Sequence, residues 1–262
     1  MKISIITVCF NSSDFIACAI RSVWEQTYKD YEYLIIDGGS QDNTVDIIKD
    51  WEPKFSGRMR WMSEKDKGIY YAMNKGIQAS SGEVVGFLNS DDSFFHDGVL
   101  AAFDASFLSS ACDAVYADLV YVDRNNTQCV QRVWTSAAMP FFRMYFGWHP
   151  AHPTFYVKKE IYDRFGSFNT NYKIAADYEL MVRFIQKNQI SCCYLPQTVV
   201  QMRSGGISNA SMKNIFLSNL ECWKSWTENG FFYNPFGISL KFFHKISQWG
   251  LGLWSRITNF VR

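Results

Sequence analysis

The sequence predicts an α/β fold: a mostly parallel central sheet flanked by helices. Two observations carry this prediction. Short β-branched runs alternate with segments of helical periodicity over roughly the first hundred residues, the pattern of parallel strands joined by right-handed crossovers. Three of the runs also end in polar clusters: Asn11-Ser12-Ser13, Asp37 to Thr44, and Asn89 to Asp92. Open parallel sheets bind ligands beyond the carboxyl ends of their strands, so these clusters mark a candidate site as well as a topology.

Ile3 to Phe10 reads as a buried strand, because a short β-branched run with no polar alternation is buried on both faces. Phe15, Ala19, Ile20 and Val23 then recur at helical spacing, with Asp14 near the start. Tyr33 to Ile36 is a second strand, followed by Asp37-Gly38-Gly39-Ser40. Val45, Ile47, Ile48 and Trp51 predict a helix after Asp42-Asn43-Thr44, and Arg58 to Met62 a third strand. Ile69 to Ala79 is helical, and Val84 to Leu88 is a fourth strand ending at Asn89-Ser90-Asp91-Asp92. The second half is less regular. Strands are expected at Ala114 to Val122, Val130 to Trp134 and Val199 to Met202. Phe141 to Trp148 is rich in aromatics, Tyr178 to Phe184 is a helix with Asp177 at its start, and the loop Arg203 to Ser208 follows the last strand.

The 262 residues suffice for one sizeable core, and 48% hydrophobic content excludes a disordered chain. A net charge of +1 gives no whole-chain argument for nucleic acid. Seven cysteines, odd in number and irregular in spacing, read as reduced thiols of a cytosolic protein. Met1 to Phe10 is too short for a signal peptide, and no run of about eighteen apolar residues suggests a spanning helix.

Adjacent carboxylates at Asp91 and Asp92 repel each other unless a cation sits there. Magnesium or manganese, hard ions that take oxygen ligands, would suit; a solvated turn is the plainer alternative. Asp42 reads as a helix cap, whereas Asp37, at a strand end, could accept from a nucleobase. His149 and His152 in Trp-His-Pro-Ala-His-Pro lack a nearby carboxylate to complete a zinc set. They are read as acceptor or phosphate contacts, with packing the alternative. Asp177 could cap its helix, act as a general base, or both.

Together these segments resemble the family 2 glycosyltransferases. The resemblance runs through Ser4 to Asn11, Ile36-Asp37-Gly38-Gly39-Ser40 with Asp42 and Thr44, and Glu64 to Tyr70 followed by Ala72 to Gly76. It continues through Gly82-Glu83, Phe87 to Asp92, His152-Pro153-Thr154-Phe155, Ala176 to Glu179 and Gly205 to Ser208, covering about residues 1 to 210. It implies a GT-A (Rossmann-like) catalytic domain over 1–210, with a nucleotide-binding half at about 1–110 and an acceptor-binding half at about 111–210. Thr7, Asn11, Asp37, Asp66 and Asp91 would hold the nucleotide. Asp92, with Asp91, would bind Mn²⁺ or Mg²⁺, and Asp177 would be the general base of an inverting transfer. Arg203 joins His149 and His152 as an acceptor or phosphate candidate. Position 90 is Ser, so the pattern is not a literal Asp-x-Asp, and Ala176 replaces the usual acidic residue before the base. By the same resemblance the donor is a UDP-sugar carrying a hexose or N-acetylhexosamine. The acceptor is a GlcNAc- or GalNAc-diphospho-undecaprenol, and the product a β-glycoside of O-antigen or another surface polysaccharide.

Residues 211–262 form a helical C-terminal extension in this reading. After Glu228 there is no Asp or Glu, while Lys241, His244, Lys245, Arg256 and Arg262 lie among aromatics. Basic and aromatic residues interleaved suit an anionic membrane surface, here the cytoplasmic face of the inner membrane. Packing on the catalytic domain is the alternative. Two other functions compete. One is a degenerate nucleotide-binding or scaffold module, against which the joint presence of Asp37, Asp92 and Asp177 argues. The other is a nucleotidyltransferase, which would want a Gly- and Lys/Arg-rich phosphate loop where Asn11-Ser12-Ser13 stands.

Overall fold

The computed structural model describes residues 1–138, 140–146, 148–205 and 211–232. Its strands are β1 (Ile3–Cys9), β2 (Tyr31–Asp37), β3 (Met59–Ser63), β4 (Val84–Phe87), β5 (Ser93–Phe94), β6 (Ala114–Val122), β7 (Val130–Trp134), β8 (Tyr156–Lys158) and β9 (Cys192–Arg203). The helices are α1 (Ile16–Trp24), α2 (Thr44–Trp51), α3 (Ile69–Ala79), α4 (Val99–Ser109), α5 (Pro140–Met144), α6 (Lys159–Phe165), α7 (Ala176–Met181) and α8 (Met212–Glu228). All nine strands join one sheet in the order β3-β2-β1-β4-β8-β6-β9-β5, with β7 paired to β6. The first half is parallel as expected: β1 pairs in parallel with β2 and β4, and β2 with β3. The second half is mixed. β8 runs antiparallel to both β4 and β6, β5 to β9 and β7 to β6, while β6 and β9 are parallel.

The inner strands are buried on both faces, which is why they read as continuous apolar runs. Alternate side chains feed two cores. Ile3, Ile5, Tyr33 and Ile35 face α1, α2 and α4, where Ile16, Ile20, Ile48 and Phe103 cover them. Ile6, Val8, Leu34 and Ile36 face α3 and the α7–α8 layer. Close approach dictates two glycines. A β-carbon on Gly76 would lie 2.5 Å from Ile6, so its absence lets α3 settle onto β1. One on Gly86 would lie 2.2 Å from the Tyr156 ring, which stacks on Phe103 at 3.9 Å.

Some boundaries differ from expectation. Phe15 precedes α1 instead of lining it. β9 starts seven residues before Val199, carrying Pro196 through the register breaks near Asp118. The backbone after α7 continues as a wider π-type turn over Val182–Lys187. Residues 211–232, beyond the expected boundary at 210, pack on the preceding residues. α8 buries Glu221, Cys222, Ser225 and Trp226 against it. The Trp226 indole N–H donates to the Tyr178 hydroxyl at 2.9 Å, and the Tyr172 hydroxyl donates to Glu228 at 2.7 Å. The basic and aromatic stretch beyond residue 232 lies outside the described residues, as do Gly206, Ile207 and Ser208.

Candidate active site

The three polar clusters meet at the carboxyl edge of β2-β1-β4 and are stitched together. The backbone N–H of Asn11 donates to Ser40 Oγ at 2.7 Å, and its side-chain oxygen accepts from the Gln41 N–H at 2.8 Å. Asn11 holds this position with φ of 47°, in the left-handed region that Asn tolerates. The Ser12 N–H donates to Thr44 Oγ1 at 2.8 Å, and the Ser12 and Ser90 hydroxyls are 3.0 Å apart. Asp42 caps the turn into α2, accepting from the Thr44 N–H at 3.0 Å and the Ser13 N–H at 3.1 Å. Burial alone would raise its carboxyl, but these hydrogen bonds hold it down to about 2.

Thr7 and Asp37 are fully buried. Thr7 accepts from the Tyr33 hydroxyl at 2.9 Å and donates to the Leu88 carbonyl at 2.7 Å, tying β1 to the end of β4. The Asp37 carboxylate receives the N–H groups of Gly39 and Ser40 at 3.1 and 2.9 Å, and the hydroxyls of Ser40 and Ser63 at 2.5 and 2.6 Å. Burial pushes its pKa up, and the Ser40 and Ser63 hydrogen bonds more than offset this, so it lies below the usual value. Both residues therefore shape the loops from beneath. Asp66 lies above the same edge, paired to Lys75, with its Oδ2 buried and without a hydrogen-bond partner. A buried carboxylate oxygen left unpaired is costly, so this atom is suited to a ligand donor.

At the end of β4 the Asp92 side chain turns inward, 2% exposed. It accepts from Asn89 Nδ2 at 2.8 Å and from the Arg203 backbone N–H at 3.1 Å. Burial, then repulsion from Asp91, pushes its carboxyl up to about 8. Asp91 is more open, with Arg124 4.0 Å away. Arg124 and Arg203 both lie over the Phe15 ring, at 4.4 and 5.1 Å, and Arg203 Nη1 donates to the Arg124 carbonyl at 2.7 Å. Among the described residues no group of three His, Cys, Asp or Glu side chains forms a closed metal cage. Burial and the Asp91 charge thus disfavour the ionised form of Asp92, a cost that a hard divalent cation held by Asp91 and Asp92 would relieve.

Asp177 sits in the first turn of α7, half-buried, and its side chain does not cap the helix. Its carboxylate has no hydrogen bond or ion pair among the described residues. The backbone before it is fixed from two sides. The Tyr70 hydroxyl donates to the Ile174 carbonyl at 2.6 Å and accepts from the Ala176 N–H at 3.2 Å. Glu221 of α8 accepts the N–H groups of Lys173, Ile174 and Ala175 at 2.8, 2.9 and 2.8 Å. Neither residue stood out in the sequence. Tyr70 belongs to the Gly68-Ile69-Tyr70 segment and could have been suspected, but Glu221 is one acid in an otherwise ordinary helix. Tyr121 on β6 links the two parts of the site: burial raises its pKa, Arg132 stacked at 3.7 Å lowers it, and the charges of both Asp92 and Asp177 raise it. The charges of Asp92 and Asp177 are therefore both felt at the Tyr121 hydroxyl.

His152 packs between Phe87 and Phe168, with ring centroids at 5.3 and 5.6 Å. Burial lowers its pKa, and the opposing charge of Asp177 does not reverse this, so the ring is neutral near pH 7. His149 lies edge-on to Trp134 and Tyr178, each at 5.3 Å, with Nδ1 2.8 Å from the Pro150 carbonyl oxygen. The Trp134 indole N–H is buried and unpaired. The aromatic wall beside Asp177 thus carries one spare hydrogen-bond donor.

Residues 4–167 match the profile described as glycosyl transferase family 2. A glycosyltransferase of PGL/p-HBAD biosynthesis from Mycobacterium bovis is 28% identical over 220 residues, 83% of each chain. Among solved structures, Staphylococcus aureus TarS 1–349 in complex with UDP-GlcNAc superposes with a TM-score of 0.67 at 18% identity, over 87% of this chain and 65% of that one. A mannosyltransferase from Pyrobaculum calidifontis in complex with GDP-Man and Mn²⁺ gives a TM-score of 0.60 at 15% identity, over 99% of this chain and 79% of that one. At these identities the structural likeness concerns the fold.

Proposed function

The chain belongs to glycosyl transferase family 2, and from that premise we propose that it transfers a hexose or N-acetylhexosamine from a UDP-sugar, with inversion, to a lipid-diphosphate-linked sugar. The observation that carries this reading is an Asp177 carboxylate without a hydrogen bond or ion pair among the described residues, at the start of α7, beside three polar clusters that interlock at the carboxyl ends of β1, β2 and β4. In this reading the stitched Asn11 and Asp37 loops and the orphan oxygen of Asp66 receive the nucleoside. Asp91 and the cationic Arg124 and Arg203 face the diphosphate. Asp92 with Asp91 would hold Mn²⁺ or Mg²⁺, which when bound offsets the charge that builds on the leaving phosphate.

Asp177 takes the proton of the acceptor hydroxyl as that oxygen bonds to the anomeric carbon. The bond to the diphosphate oxygen breaks on the opposite face, and its electron pair leaves with UDP. An α-linked donor thus gives a β-glycoside. The neutral His152 and the ring wall of Trp134, His149 and Tyr178 exclude water and stack on the acceptor sugar, with the Trp134 N–H free to meet a hydroxyl. A UDP-bound relative of the fold and a relative in mycobacterial glycan synthesis support a nucleotide-sugar donor and a glycolipid-type acceptor. Synthesis of a bacterial surface polysaccharide at the cytoplasmic face of the membrane fits that pairing. No helix among the described residues is long and apolar enough to cross a membrane.

The test is a panel of UDP-sugars with GlcNAc- and GalNAc-diphospho-lipid acceptors in Mn²⁺ or Mg²⁺, with the product linkage read by NMR. Transfer that stops on chelation and yields the β-anomer is expected. A retained anomeric configuration, or undiminished transfer by Asp177→Asn, would overturn the mechanism.

A further inference from the structure

Helix α8 buries Cys222 and Trp226 but leaves its widest apolar stripe on the outside, unlike an ordinary helix lying on a water-soluble domain. Such helices bury their apolar stripe and wet their polar one. Here Glu221, Ser225 and Asn229, spaced four residues apart, are buried. Glu221 holds the loop before Asp177, and Asn229 donates to Glu179 at 3.2 Å. The opposite face carries Met212, Phe216, Leu220 and Trp223, exposed to 81, 66, 45 and 49%. Exposed Lys213 and Lys224 follow along one edge of this stripe at helical spacing. Just after α5, Tyr145 packs on Trp226 of α8 at 5.0 Å, and Phe142 of α5 with Phe146 beyond its end adds an exposed pair 5.1 Å apart.

We infer that this outer face of α8 docks onto an anionic lipid bilayer, lying in its interface with Phe216 and Trp223 inserted and Lys213 and Lys224 at the phosphate level. Two features select lipid as the occupant. The apolar stripe is bordered by lysines, the arrangement that interfacial helices use on anionic membranes. The chain also runs on from α8 with five basic or histidine side chains and no acid after Glu228, so charge of the same sign continues from the stripe. The inference deepens the membrane part of the function proposed above, but its test reads lipid binding alone and stands apart from sugar transfer.

The full chain is sedimented with vesicles of phosphatidylglycerol and phosphatidylethanolamine, and separately with phosphatidylcholine vesicles. The wild type is expected to partition onto the anionic vesicles. Removing one large apolar side chain from the interface is worth about tenfold in partitioning, so Phe216→Ser with Trp223→Ser should lose roughly a hundredfold. Lys213→Glu with Lys224→Glu should lose binding to the anionic vesicles in particular. Leu108→Ser, an exposed leucine of α4 on the opposite layer, should bind as wild type. Circular dichroism and thermal melting establish that the variants fold, and Met212→Ser with Leu220→Ser serves if the first pair does not. The inference is overturned if the wild type stays in solution with anionic vesicles. It is equally overturned if a folded stripe variant partitions undiminished, which would place lipid binding elsewhere, or if light scattering shows a dimer that the stripe substitutions dissolve.

Discussion

Glu221→Gln tests whether helix α8 sets the position of Asp177, the proposed base. The Glu221 carboxylate is 7% exposed and accepts three backbone N–H groups, those of Lys173, Ile174 and Ala175, immediately before Asp177. Glutamine has nearly the same shape but only one accepting oxygen, and its amide group would face one of the three donors. Hydrogen bonds to an ionised group contribute about 1.5–3 kcal/mol each, and neutral ones about half that. Weakening two and orphaning one therefore costs about 3 kcal/mol, a fall in melting temperature of roughly 6–12 °C for a chain of this size. The catalytic effect should be larger than the stability effect implies, because a displacement of about 1 Å at a reacting group can cost about 10²-fold. Steady-state kinetics with varied donor and acceptor would show kcat falling while the donor KM changes little, since the Asn11–Ser40 loops lie elsewhere. Tyr70→Phe removes the other support of the same loop, so the two substitutions should be non-additive. If Glu221→Gln melts early but turns over at the wild-type rate, the loop is positioned by something else and the argument fails.

Asp177→Asn should lower transfer by roughly 10²–10⁴-fold, as expected for loss of a general base, while calorimetry shows unchanged UDP binding. Asp92→Asn should raise the metal concentration needed for half-maximal rate, and chelation should stop transfer by the wild type; metal titrations of initial rate check both. Glu32 is held down to about 2 because hydrogen bonds from Ser4, Ser81 and Arg60 outweigh the effect of its burial, against an ordinary value of 4.5. A lowered carboxylate stabilises fully above pH 4.5, and that contribution drains away as the pH falls toward 2. Urea melts should therefore separate wild type from Glu32→Gln at pH 6 and bring them together near pH 2. Gly86→Ala should destabilise by about 1–3 kcal/mol through overpacking against Tyr156, and Tyr156→Val in the same chain should recover part of the loss in denaturant melts.

What the sequence made legible and what it hid divide along physical lines. β1, β2 and β4 are doubly buried runs that end in polar loops, and nothing else in a chain looks like that. Their parallel pairing and the polar clusters at their carboxyl ends could be read before any coordinates. β8 and β5 are two to three residues long, too short to show a period, so the antiparallel insertion of β8 between β4 and β6 left no trace. α4 has four buried apolar residues among many alanines and serines and offers little contrast between faces. At the site, local motifs were legible as positions: Asp91 and Asp92 follow β4, and Asp177 stands in the first turn of α7, as expected. Asp37 was located, but its surroundings were not. Five groups of the protein itself engage its carboxylate, so its influence on a nucleotide runs through the loop it holds. Glu221 was invisible because its partners are backbone N–H groups 46 to 48 residues away, and backbone groups carry no sequence signature.

The reach of α8 changes how the two halves of the molecule relate. A catalytic domain ending at 210 would contain every motif carboxylate, yet the loop before Asp177 would lose three of its hydrogen bonds. The same helix turns its apolar stripe away from the protein. One rigid element of 17 residues therefore has Glu221 on one side and Phe216 and Trp223 on the other. A partner on the outer face would therefore sit one helix away from the loop before Asp177, which Glu221 holds through three hydrogen bonds. Strand ends can define a nucleotide pocket without reference to where the acceptor comes from. The base cannot, because it must meet a hydroxyl delivered by the second substrate. Fixing it from the helix that bears the exposed apolar face aligns the proton acceptor with the side from which a lipid-borne acceptor would arrive.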